Sequence, residues 1–416
     1  MKKVLLLAAA LVLTLSITAS SAISSASETG ITNRTIVIGG TFPLTGPASL
    51  YAVIPPSMKA YFSYINARKG PDGRRGVYGR QIVFKYYDDG YNPANSVQLT
   101  RKLVEDDKVF AVIGSLGTEV NLAIRPYLNA RKVPQLLNAT GASAWGADAK
   151  KYPWTGGWQP DYAYEGQIYG QAIAHNSPNA KIAVLRQNDS YGDDYMRGLK
   201  TGLGGKTSNI VADEAYEVTA ADVRAQVAKL RASGANVFVI FATPKFTIQA
   251  YAIANALRWS PAVIYTNSVS ATDTFLTLAK SSGGGDLPNR TFTVQYGKDP
   301  ASPAWDNDSA MKLYKQVMAK YRPGARVTDA LNYYGVSVAE AFVELMYKAG
   351  KNPTRASLMK AFRNWNETNP FLLPGNRQKT SGNDQFPLQC ERIAKFTDGT
   401  FVPVSKLKCA GATKAT

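Results

Sequence analysis

The sequence predicts an α/β protein of two doubly wound parallel-sheet lobes, joined by a hinge that the chain crosses several times. Three observations predict it. Short β-branched runs alternate with amphipathic stretches through most of the 416 residues. A loop rich in Gly, Trp and Tyr over residues 141–166 interrupts the alternation, which then restarts with units of similar size. A third section, from about Thr291, carries long helices and reads as the chain returning to the first lobe.

Each element follows from its residues. Thr35-Ile36-Val37-Ile38-Gly39-Gly40 predicts the first strand, residues 57–68 a helix and residues 81–86 a second strand. Asn92-Pro93 supplies a cap and a first-turn proline for the next helix, with Val97, Leu103 and Val104 among its apolar positions. Residues 109–113 predict a buried strand, a helix runs on to about Ala130, and residues 133–137 form another strand. After the loop come a strand at 181–185, a helix from Tyr191, a strand near Ile210 and a helix at 221–232. Strand 237–241, helix 246–257 and strand 262–265 complete the second run, and long helices follow at 303–321 and 329–349. The tail from Phe371 is rich in Pro, Gly and Asn and ends in a hairpin around Asp398-Gly399. The division expected is a leader over 1–26, a first lobe begun by 34–157, a second by 158–290, a return to the first over 291–365, and a final segment, 366–410, returning to the second. Such an architecture sets a cleft between the lobes that closes on a ligand by hinge motion.

Lys2 and Lys3 precede an uncharged apolar run from Val4 to Leu15, followed by Ser20-Ser21-Ala22 and Ser24-Ser25-Ala26. This reads as a cleaved secretory signal, since the run is too short for a membrane span. The first cysteine is Cys390, so no lipid anchor through an N-terminal cysteine is expected, and the mature protein is predicted to be periplasmic or secreted. The formal net charge of +18 raises nucleic acid as a partner. The positive residues are scattered, however (Arg74, Arg75 and Arg80; Lys150 and Lys151; Lys312, Lys315 and Lys320), and export removes the chain from nucleic acid. Cys390 and Cys409 can pair in an oxidising compartment, closing a loop worth about 3 kcal/mol. Two thiols without a histidine cluster make no structural zinc site.

Tests for catalysis fail one by one. In Gly202-Leu203-Gly204-Gly205-Lys206-Thr207 the first glycine of a phosphate loop is replaced by Lys200. A nucleophile elbow at Ser115 finds Ile113 where its first glycine belongs. His175 is the one histidine and has no partner for a relay or a metal. Asp88-Asp89 and Asp193-Asp194 read as caps and solvated turns. No enzymatic site, cofactor or metal is expected.

Polar and aromatic residues gather instead where strands turn into helices: Thr45-Gly46-Pro47 with Tyr51, then Gly114-Ser115-Leu116-Gly117-Thr118, Asn138-Ala139-Thr140-Gly141 and Asp189-Ser190-Tyr191-Gly192. Hydroxyls and main-chain N–H groups at helix starts bind a carboxylate without a cationic side chain. A tyrosine from the opposing lobe offers a flat apolar face to the rest of the ligand.

In IVIGGTFPLTGP, YYDDGYNPANSVQLTRKLVEDDKVFAVIG, VPQLLNATG and VLRQNDSYGDDY, the chain resembles the type I periplasmic solute-binding proteins of the branched-chain amino acid family, which serve ABC importers. The likeness runs over residues 34–365. It implies that Thr118, with Ser115 beside it, and Asn138, Ala139 and Thr140 hold a ligand carboxylate, and that Tyr51 and Tyr191 flank the ligand. It also implies a monomer that delivers its small-molecule ligand to a membrane ABC permease. Two departures matter. Thr243 in Ala242-Thr243-Pro244 stands where the family often has an aromatic. Tyr265-Thr266-Asn267-Ser268-Val269 carries no acid where amino-acid binders place one for the α-ammonium; Asn267 stands in the candidate set, and Asp189 and Asp273 are the acids left for that role. An amino acid and an amine-free aromatic or aliphatic acid therefore fit alike, and the same cleft would serve an exported ligand sensor.

Overall fold

In the computed structural model, described over residues 28–410, the first sheet contains β1 (Thr35–Phe42), β2 (Gln81–Asp88), β3 (Ala111–Ile113), β4 (Gln135–Asn138) and β5 (Thr155–Gly157). The leader proposed over 1–26 lies outside the described residues. Between the strands run α1 (Ile54–Ala67), α2 (Pro93–Glu105), α3 (Thr118–Ala130) and the short α4 (Ala144–Ala147). The order is β2-β1-β3-β4-β5 and every pairing is parallel. The start of α2 behaves as its residues require: Asn92 accepts from Ala94 N at 2.8 Å, and Pro93 occupies the first turn, where no intrahelical partner for its nitrogen exists.

The second lobe opens with α5 (Tyr162–Asn176) and continues through β6 (Ile182–Gln187), α6 (Ser190–Leu203), β7 (Ile210–Tyr216), α7 (Arg224–Ala232), β8 (Val237–Phe241), α8 (Pro244–Ala256), β9 (Val263–Thr266), α9 (Asp273–Ala279) and β10 (Thr291–Gln295). Its parallel strands take the order β7-β6-β8-β9-β10, the same permutation as in the first lobe. Val-Phe-Val-Ile-Phe of β8 is wholly buried because helices cover both faces of a central parallel strand. Each such side chain contributes about 1.5–3 kcal/mol, an upper figure for an extended unfolded reference. The helices α5 and α6 approach so closely that a Cβ on Gly198 would lie 2.0 Å from the carbonyl oxygen of Ala163, so only glycine fits there.

The chain then returns to the first lobe with α10 (Ser309–Tyr321), α11 (Ala330–Ala349) and α12 (Arg355–Arg363). Buried side chains of α10 and α11, among them Tyr314, Phe342 and Met346, join the same core as Met58 and Phe62 of α1. After a small antiparallel pair, β11 (Asn366–Glu367) with β12 (Gln378–Lys379), the strands β13 (Cys390–Thr397) and β14 (Thr400–Pro403) extend the second sheet antiparallel beyond β10. The last strand, β15 (Lys408–Cys409), pairs with β13, and a disulfide joins Cys390 to Cys409.

One expected boundary shifts. Thr291, where the sequence places the return to the first lobe, begins β10 of the second sheet, and the chain leaves that lobe only after Gln295. The strand is five residues long, and Thr-Phe-Thr-Val-Gln gives little local signal. Its place is fixed by distant partners, β9 on one side and β13 on the other.

Candidate functional site

The permuted strand order reverses direction between β1 and β3 in one lobe and between β6 and β8 in the other, and a crevice opens outside the carboxyl ends of such strands. The two crevices share one cavity of about 150 Å³. Its wall is drawn from the residues just after the strands: Thr118 beyond β3, Ala139 beyond β4, Tyr191 beyond β6, Thr243 beyond β8 and Ser268 beyond β9.

On the first lobe the turn into α3 sets the geometry. Gly117 has φ 105° and a Cβ there would meet the Tyr91 ring at 2.7 Å, so glycine alone turns this corner. No side chain caps α3, leaving its first N–H groups beside the cavity. Thr118 opens the helix on the wall, and its hydroxyl lies 2.6 Å from that of Thr140. Thr140 lies behind the wall and acts through this contact. Ser115 is also set back: its Oγ accepts from Thr41 N at 3.1 Å and its carbonyl accepts from Asn121 Nδ2 at 2.7 Å. It therefore ties β1 to the turn and does not face the ligand space. Asn138 is fully buried at the end of β4, behind Ala139.

On the second lobe Tyr191 reaches the wall, and its hydroxyl accepts from Asn267 Nδ2 at 2.5 Å. Asn267 itself is buried and its Oδ1 accepts from Ala242 N at 3.3 Å, so this residue orients Tyr191 and the β8 turn. Thr243 is on the wall, its N donating to the Tyr216 hydroxyl at 3.0 Å. Asp189 caps α6 by accepting from Gly192 N, and its other oxygen accepts from Gln187 Nε2 at 2.5 Å. Both oxygens are occupied, and burial pushes this carboxyl up to about 6.

The lobes touch across the cavity. Tyr51 on the first donates its hydroxyl to the carbonyl oxygen of Val269 on the second at 3.1 Å, and Ser190 N donates to Glu119 Oε1 at 3.0 Å. This is a closed arrangement. Much of the remaining wall comes from the chain crossings and the returning helix, which strand-end reasoning does not reach: Trp158, Gln159, Tyr162, Tyr296 and Tyr334. Tyr334 donates to Gln159 Oε1 at 3.1 Å, and Gln159 Nε2 donates to the Tyr162 hydroxyl at 2.9 Å. The aromatic density of residues 141–166 was the available signal. The one cationic side chain on the wall, Lys298, is bound at 2.7 Å to both Asp308 Oδ2 and the Pro370 carbonyl oxygen. Asp273 also lines the cavity, 3% exposed, with Oδ1 unpartnered. Among the described residues no group of three metal-ligating side chains gathers.

Residues 35–400 match the family model described as periplasmic binding protein. The chain belongs to that family. Its fold is type I, two α/β lobes with parallel sheets, and relatives include Leu/Ile/Val-binding protein homologues. Homolog 1 from Brucella abortus is 24% identical over 208 residues, 49% of this chain and 52% of that protein, so the chain spans about half the length of the curated relatives it matches. A branched-chain amino acid ABC transporter protein from Thermus thermophilus with bound valine superimposes with TM-score 0.78 at 18% identity, covering 92% of this chain and 98% of that one. A fatty acid ABC transporter substrate-binding protein from Thermomonospora curvata gives 0.77 at 20%, covering 92% and 95%. A solute-binding protein from R. palustris in complex with benzoate gives 0.73 at 16%, covering 91% and 98%. Membership makes this periplasmic binding protein a solute-binding, extracytoplasmic component, and among its described residues no helix is long and apolar enough to cross a membrane.

Proposed function

We propose that this protein captures a small carboxylate-bearing solute between its lobes, closes on it, and presents it to a membrane ABC permease. The observation that carries the proposal is the uncapped start of α3, with Thr118 and Ala139, facing a cavity whose one lysine is already paired. Main-chain N–H groups and a hydroxyl at a helix N-terminus favour an anion. Valine, fatty acid and benzoate, named for the three structural relatives, have a carboxylate in common. A cavity of about 150 Å³ is the size that accepts a benzene ring in an engineered apolar site, which favours a compact branched or aromatic body over a long acyl chain.

The chemistry is binding without covalent steps. Ligand touching both walls adds its contacts to Tyr51–Val269 and Ser190–Glu119, so it shifts the population toward the closed form by its preference for that form. An exported sensor would use the same cleft, and co-purification with a permease separates the two. A thermal-shift panel of amino acids, aromatic acids, short aliphatic acids and their neutral amides tests the ligand class. Stabilisation by acids and not by their amides is expected. Stabilisation by the amides alone would overturn the carboxylate reading.

A further inference from the structure

The second lobe presents carboxyl groups to the cavity that nothing in the protein satisfies. Asp273 begins α9 and is 3% exposed; Asp299 follows β10 on the crossing segment and is 7% exposed. Both line the cavity. Asp273 Oδ1 and Asp299 Oδ2 have no hydrogen-bond partner. Their remaining oxygens are weakly or locally held: Asp273 Oδ2 stands 3.6 Å from Nη2 of the exposed Arg326, and Asp299 Oδ1 accepts from Ala301 N at 2.9 Å. A buried carboxylate oxygen without a donor is costly, so such a pair calls for a cation or retains protons.

Other acids nearby are accounted for. Glu165 is as buried as Asp273, yet its oxygens accept from Tyr169, Tyr195, Ser268 N and Ser268 Oγ at 2.7–2.8 Å. Glu391 has two unpartnered oxygens but lies off the cavity wall. Lys298, on the same wall, is committed to Asp308 and Pro370. A metal ion is disfavoured, since no third ligand joins the two acids among the described residues.

We infer that Asp273 and Asp299 form a cation-binding subsite on the second lobe, opposite the carboxylate-binding turn of α3, and that the ligand carries a positively charged nitrogen as well as a carboxylate. This rests on the carboxylate reading above and selects within it: amine-free acids lack the group that these oxygens require. The position is independent of the strand end at 265–269, where no acid occurs. Burial first, and the neighbouring Asp299 next, push the Asp273 carboxyl up to about 7, so a bound ammonium stabilises its charged form.

Calorimetric titration at pH 8 with matched pairs tests the inference on the unaltered protein: L-valine against isovalerate, L-phenylalanine against 3-phenylpropanoate, and 4-aminobutanoate against butanoate. The aminated member of at least one pair should bind roughly tenfold to a hundredfold more tightly, the range for a charge-assisted hydrogen bond. Asp273→Asn and Asp299→Asn, each checked for an unchanged melting profile, should reduce that preference and leave the amine-free affinity within about twofold. Equal or tighter binding of every amine-free member overturns the cation subsite while leaving the carboxylate reading in place. Retention of the full preference in both variants also overturns it. If Thr118→Val weakens neither member while the preference vanishes in the aspartate variants, the subsite stands and the carboxylate reading falls. If no pair binds, both fall.

Discussion

Thr118 Oγ1 and Thr140 Oγ1 lie 2.6 Å apart, bridging the turns that follow β3 and β4. One hydroxyl hydrogen is spent between them and the other is left to meet a ligand oxygen, so neither residue works alone. Thr118→Val removes a donor at a buried carboxylate, a loss of about 1–2 kcal/mol or roughly tenfold in affinity. Calorimetry on Thr118→Val and Thr140→Val should show that loss, with denaturant midpoints close to those of the parent. Unchanged affinity in both variants would remove these residues from the site.

Tyr51→Phe deletes the hydrogen bond to the Val269 carbonyl while keeping the ring edge-on to Phe275, 6.4 Å between centroids. The variant should favour the open form, with affinity lowered about two- to tenfold, the net worth of one hydrogen bond. Small-angle scattering should show a larger radius of gyration without ligand and the parent value at saturation. No change in either quantity would mean that this contact does not hold the lobes together.

Removing the disulfide tests the tail. Cys390↔Cys409 pair in register between β13 and β15, far along the second sheet from the α3 turn. Replacing both by serine should cost about 3 kcal/mol in the chain-entropy view. Melting of the parent with and without reductant, and of the double variant, should show the drop, with ligand affinity unmoved within about twofold. A parent indifferent to reductant would contradict this.

Stability without ligand should fall as pH rises from about 4 to about 7. Asp273 is pushed up to about 7 by burial and by Asp299, with Asp329 acting in the same sense and Arg326 against it. An unfolded chain releases this proton near 3.9, so between the two values the folded form holds the extra proton and loses advantage as pH climbs. Asp161 and Asp189, each raised to about 6 by burial, and Glu344, raised to about 7, act in the same direction. Asp273→Asn should make urea-derived stability less steep between pH 5 and 7; an identical slope would refute the assignment.

The strand and helix rhythm was legible because parallel strands such as β8 are continuous apolar runs and helices such as α2 announce their starts with Asn92-Pro93. The hydroxyl turn at Thr118 was legible because glycine and threonine have few reasons to recur at strand ends. Less could be read where tertiary pairing decides. The strand at Thr291–Gln295 depends on β9 and on β13. Ser115 and Asn267 have the right chemistry, but main-chain groups of Thr41 and Ala242 claim their side chains. Trp158, Tyr162 and Tyr334 reach the wall only because the crossings and α11 bring them there. Asp273 looks like any first-turn helix acid until its unpartnered oxygen is placed against a cavity.

The interleaved path of the chain constrains its birth. Thr293 pairs with Ala394, and the core around Met58 and Phe62 needs Phe342 and Met346. A nascent polypeptide leaving the ribosome thus has neither half complete until almost its whole length has emerged. Cutting it at the midpoint would yield two fragments, each missing wall or floor, and neither half could be produced as a single uninterrupted piece.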